Sequence, residues 1–217
     1  MRGVTAAAAM LMAGMACAGT PDERVLPVVE IEADSPVALA AAEWGESRTF
    51  LLGSARVFEL RGVLMLKNRG PACLRAVSVS VSAGAHAPGG RGVVRSPVLH
   101  VAREATAPIR ITLRLCRPAA EGGAVGVRLD GALFEGPRFY GPDTWQSREW
   151  LTARERNAWS ERRRLSRVLG TGGVAALREE MVALLDRESR PDVEGRRLAD
   201  VYREKGMPAL LEELAGY

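Results

Sequence analysis

The chain has 217 residues, 47% of them hydrophobic, which is enough for one large or two small domains with a real core and excludes global disorder. Its formal charge is only +4, and its basic residues are 28 arginines against 2 lysines. Lysine neutralises phosphate as arginine does, so this bias reads as genome composition, and no nucleic-acid partner is expected.

The N-terminus reads "MRGVTAAAAMLMAGMACAGTPDE". Arg2 is a short positive head, and the run from Thr5 to Ala16 is small, apolar and uncharged. That is the grammar of an export signal, and the run is shorter than the about 20 apolar residues that a spanning helix needs. Ala16 and Ala18 fit the A-x-A rule, giving a signal peptide over 1–18. The competing reading is a lipoprotein signal with Cys17 as the lipidated residue, although Gly14 stands where Leu, Val or Ile is usual. The expected destination is therefore periplasmic or extracellular, with a lipid-anchored form as the alternative. Contact with a membrane is expected only if Cys17 is lipidated.

Beyond residue 18 two cysteines remain, Cys73 and Cys116. An even pair in an oxidising compartment predicts a disulfide. Together with two distant histidines, His86 and His100, they show no ligand spacing, so neither a metal nor a cofactor is expected.

Residues 19–136 read as a β-rich domain. "RVLPVVEIEA" (24–33), "VFELRGVLMLKNRG" (57–70), "CLRAVSVSVSAG" (73–84), "PIRITLRLC" (108–116) and "AVGVRLDGALF" (124–134) carry alternating or continuous apolar runs. Val77, Val79 and Val81 face one way and Ser78, Ser80 and Ser82 the other, the signature of a half-buried strand. Asn68-Arg69-Gly70-Pro71 suits a hairpin-like connection, and "SPVLHVA" around His100 reads as a further strand. About seven short strands at this spacing predict an antiparallel β-sandwich. By parity Cys73 joins the inward valines and Cys116 the outward set, so their bond requires a bulge or a bend.

Gly62, the apolar run to Asn68, "LRAVSVSVSAG" and "GGRGVV" (89–94) together resemble the immunoglobulin-like modules of exported bacterial proteins, of the FxLYD type. The resemblance covers residues 57–116. The Leu-Tyr-Asp feature is replaced by Ala83-Gly84-Ala85. It implies an immunoglobulin-like sandwich used in adhesion, assembly or scaffolding, with no catalytic residues to carry over.

An aromatic Gly/Pro joint, 137–142, separates this domain from a helical region over 143–217. Asp143 reads as an N-cap with Gln146 three residues on. Leu151, Ala158 and Leu165 begin an apolar stripe, and Gly170 with Gly172-Gly173 end that helix. Val174 to Leu185 form a second helix, stopped near Arg190-Pro191. A third runs through Leu198 to Gly206, and Leu210, Leu211 and Leu214 make a short fourth. The region carries 14 basic and 14 acidic residues, so "ERRRLSR" (161–167) reads as a solvated face. Phe139, Tyr140, Trp145 and Trp150 are candidates either for packing the helices on the sandwich or for lining a binding groove.

Catalytic grammar is missing. No G-x-S-x-G elbow surrounds a serine, "GTGG" (170–173) lacks the Lys-Ser/Thr of a phosphate loop, and Glu179-Glu180 and Glu212-Glu213 point about 100° apart on a helix. The expected function is an exported, non-enzymatic interaction or scaffold protein with a protein partner. The alternatives are an accessory subunit of an exported enzyme or secretion assembly and, less favoured, a hydrolase using Asp143 or Glu135.

Overall fold

The computed structural model describes residues 23–84, 89–136, 138–186 and 193–215. The stretches read as the signal peptide, with Cys17, and the loop holding His86 lie outside them. Ten strands precede two helices among the described residues: β1 (Glu23–Arg24), β2 (Val28–Glu30), β3 (Val37–Trp44), β4 (Arg48–Leu52), β5 (Ala55–Asn68), β6 (Leu74–Ser82), β7 (Arg91–Ser96), β8 (Thr106–Pro118), β9 (Gly126–Phe134), β10 (Arg138–Tyr140), α1 (Ser147–Asp186) and α2 (Val193–Ala215).

The strands form two five-stranded sheets. In the first, β5 is the spine. It pairs with β8 along one edge, and on the other edge β4 and then β3 take successive halves of its length, with β1 beyond β4. In the second sheet β6 lies between β7 and β9, while β2 and β10 share the far edge of β9. Every pairing is antiparallel except β2 with β9, which departs from the wholly antiparallel sandwich expected. Leu60, Leu64, Leu66, Ile109 and Ile111 of the first sheet meet Val77, Val79, Val81 and Val127 of the second in one core. Each such burial stabilises by about 1.5–3 kcal/mol over exposure. Two sheets around a shared core followed by helices make the architecture sandwich-like with a helical C-terminal region.

β3 and β4 escape a pattern-based reading. "VALAAAEW" is half alanine and exposed from Leu39 to Glu43, so it shows no two-residue alternation. Its place is set by Trp44, which lies over Gly62 of β5. A Cβ there would stand 2.5 Å from the indole.

Asn68 to Pro71 is not a hairpin, because β5 and β6 belong to different sheets. The turn carries the chain across the core. Buried Asn68 holds it by donating to the carbonyls of Ala72 and Val101 and accepting the Gly70 N–H. The "SPVLHVA" stretch is likewise no strand beyond Ser96, the last residue of β7; Val101 alone bridges to Leu74.

The second sheet contains two bulges, between Leu74 and Ala76 and between Ser78 and Val79 against β9. Each adds one unpaired residue and reverses which parity faces inward. Leu74 is inward before the first bulge and Val77, Val79 and Val81 after it. On β9 Val127 and Leu129 are inward before the second, Ala132 and Phe134 after.

This overturns the expected disulfide. Inward parity at the start of β6 belongs to Leu74, so Cys73 is not among the core residues, and both thiols are free. Cys73 precedes β6, whereas Cys116 donates its N–H to Gly89 beside the far end of that strand. Nine strand residues span roughly 30 Å, and a disulfide needs Cα atoms within about 7 Å. Reductant is therefore expected to leave the melting temperature unchanged, and the unfolded, unreduced chain to take up maleimide at both Cys73 and Cys116. Mass spectrometry showing both protected would refute the placement.

Candidate binding cleft and helix–sheet joint

α1 crosses the outer face of the second sheet and covers only part of it. The two bulged residues, Arg75 and Asp130, are what reach it. Arg75 is buried and pairs with Glu155 (2.6 Å), and its guanidinium also donates to Nδ1 of exposed His100 (3.1 Å). Asp130 is 1% exposed and accepts the hydroxyl of Ser147, which also contacts Ser78 at 2.8 Å. All three polar groups of that cluster are buried, and the second oxygen of Asp130 has no hydrogen-bond partner among the described residues. Between these polar pins, Leu151 packs on Ala76 and Leu133, with Phe139 and Trp150 around it. Gly131 is required here, because a Cβ would run into the Phe139 ring.

The helix begins differently from a capping box. Asp143 and Gln146 both have positive φ, and the Asp143 carboxylate accepts the N–H of Arg148, not that of Gln146 (2.8 Å). The Gln146 carbonyl accepts the first helical N–H, from Trp150. The Asp143 N–H also donates to the carbonyl of Asp130, so the entry turn is fixed to the bulge.

Where α1 stops covering the sheet, an open cleft of about 1010 Å³ begins. Its floor is the uncovered outer face: Ser80 and Ser82 of β6, Gly126 and Arg128 of β9, and Val28 and Glu30 of β2. Tyr140, Pro142, Thr144 and Trp145 wall one end; Gly84, Arg117 and the 122–124 loop line it elsewhere. Glu30 pairs with Arg128 (2.6 Å). Tyr140 donates to Glu32 (2.8 Å), and the carboxylate that takes this bond holds the phenol above its ordinary pKa. Arg117 is buried over the Phe58 ring and donates to the Ala83 and Gly122 carbonyls; burial, then Arg56, lowers its pKa.

The four aromatics therefore divide. Phe139 and Trp150 belong to the joint, where Arg148 stacks on the first (5.0 Å) and Arg95 and Arg154 on the second (5.1 Å each). Tyr140 packs on the main core and, with Trp145, lines the cleft. All four are half-buried. Neither Asp143 nor Glu135 lines the cleft. Sequence reasoning missed Arg75, Asp130 and Ser147. The legible signal was an acid inside "VRLDGALF", where regular alternation breaks.

The "ERRRLSR" run is not a uniformly solvated face. Arg162 is buried against Glu194 of α2 (2.6 Å), and Arg164 bridges Glu161 and Glu180. α1 and α2 break their helical geometry at Gly173 and Gly206, giving four helical runs around a core of Leu165, Leu177, Met181, Leu198 and Leu210. Among the described residues no group of three metal-ligand side chains gathers, and no helix is long and apolar enough to cross a membrane. No protein-family model, curated protein or solved structure matches this chain, so its function is read from its own residues.

Proposed function

We propose that the chain is an exported, non-enzymatic interaction module in which an immunoglobulin-like sandwich takes an extended stretch of a protein partner in the cleft beside α1. The observation that carries this reading is the half-covered sheet face. The cleft lies at the upper end of the size range of small-ligand pockets and is open, which suits a polymer segment better than an enclosed molecule. Four of its ionisable groups are committed in pairs, Glu30 with Arg128 and Tyr140 with Glu32, and Arg117 is held by backbone carbonyls, an arrangement for recognition and orientation more than for proton transfer. Tyr140 and Trp145 supply the rigid, amphipathic contact area that anchors partners. The apolar N-terminal run supports export.

A photo-cross-linking residue at Ser82, in the cleft floor, is expected to capture a polypeptide, whereas one at Thr112, on the exposed face of β8, is not. Trp145→Ala is expected to weaken that binding about 30-fold, the size of an aromatic hot spot. Equal capture at both positions, or binding indifferent to Trp145, would reject the cleft. The captured partner's identity also separates a scaffold from an accessory subunit of an exported enzyme or secretion assembly.

A further inference from the structure

The 14 basic and 14 acidic residues of 143–217 balance only as a total. The first run of α1, 147–172, holds seven arginines against three glutamates. Two of those glutamates are turned inward to partners, Glu155 to Arg75 and Glu161 to Arg164. Four of the arginines are engaged as well. Arg162 and Arg164 are ion-paired, and Arg148 and Arg154 lie on Phe139 and Trp150. The remaining three, Arg156, Arg163 and Arg167, are exposed and pair with no carboxylate among the described residues. Their spacing of seven and four sets them on one stripe of the helix, about 17 Å long. Trp159 shares that stripe, 51% exposed, with Arg163 stacked on its ring at 4.4 Å.

We propose that this stripe is a docking surface for an anionic phospholipid bilayer. Its charge is complementary to such a surface, and an exposed indole among arginines has the chemistry that seats at the level of lipid headgroups. A lipid surface is favoured over other polyanions because the same chain carries an apolar N-terminal run. As an export signal, that run is expected to route the chain into a compartment bounded by membranes, where a bilayer is the polyanion at hand. The proposal rests on the export reading for that encounter alone and is independent of the cleft. Near an anionic surface each arginine is worth about fivefold in partitioning, so the three together give about 100-fold.

The test is flotation of the full chain with vesicles of phosphatidylcholine, with and without phosphatidylglycerol, read as the ratio of the two partition coefficients. Wild type and variants carry the same N-terminus, so the ratio isolates the helix. The expected ratio is about 100 at low salt, falling as salt screens the surface, and near 1 for R156E/R163E/R167E with an unchanged melting curve. Brominated lipid is expected to quench emission in wild type and to lose that part of the quenching in Trp159→Phe, a variant that keeps all three charges. A wild-type ratio near 1 overturns the proposal, as does a ratio untouched by the triple reversal. Equal affinity for soluble polyglutamate or DNA, with no preference for anionic vesicles, overturns the lipid assignment in favour of another polyanion.

Discussion

Replacing Glu194 with alanine is expected to destabilise the helical unit by about 3–5 kcal/mol, the cost of leaving a buried charge uncompensated. Glu194 is fully buried, and Arg162, 5% exposed, contacts it at 2.6 Å while donating to the Glu213 carbonyl. Arg197 forks onto both oxygens of Glu194 and reaches Glu213 at 2.8 Å. The cluster joins the middle of α1 to both runs of α2. Burial works against Arg162, lowering its pKa, and the carboxylates offset that. Arg162→Met combined with Glu194→Leu is therefore expected to cost much less than the two single changes added together. Urea unfolding followed by far-UV ellipticity gives all three values, and additive losses would show that the pair is not coupled. The cluster also has a pH signature. Arg197 holds Glu213 below the ordinary value of 4.5. A carboxyl depressed on folding contributes stability above its unfolded pKa and loses it as pH falls through the folded one. Acid should thus loosen the helical unit only below pH 4.5, and Glu213→Gln should flatten that limb.

Truncating Leu151 to alanine is expected to cost about 2–5 kcal/mol, with the loss concentrated where α1 meets the second sheet. Leu151 is fully buried between Ala76 and Leu133, and little nearby can collapse into the space, because Phe139 is already pressed against Gly131. The polar pins, Arg75–Glu155 and Asp130–Ser147, flank this apolar contact and depend on it to exclude water. Limited proteolysis is expected to open first at 141–147 in the variant, with the indole signal of Trp150 altered. Unchanged cleavage together with unchanged unfolding would mean that the polar contacts alone hold the joint.

The strands with strict alternation were legible because each has one dry and one wet face. Val77, Val79 and Val81, and Ile109 and Ile111, announce themselves in this way. The four helical runs were legible from their stripes and from Gly173 and Gly206, whose positive φ marks the breaks. Three things were hidden for physical reasons. β3 is an exposed edge strand with no burial to impose a pattern. The bulges at Arg75 and Asp130 reverse parity by one residue, which moved Cys73 to the wrong side. The cleft arises from where α1 happens to end its cover, a matter of tertiary placement. Its two aromatics were among the four candidates, but nothing local separated Tyr140 and Trp145 from Phe139 and Trp150.

The parallel pairing of β2 with β9 has a consequence in time. Glu30 finds Arg128 98 positions downstream, so no part of that edge can close until almost the whole sandwich has been synthesised. At ordinary translation speeds the interval is roughly 5–20 s. During it β1 can pair with β4, and β5 with β3, β4 and β8, while β2 has no strand to pair with. Until β9 emerges, the stretch around β2 is therefore untied, and the second sheet lacks the strand that joins β2 and β10 to β6.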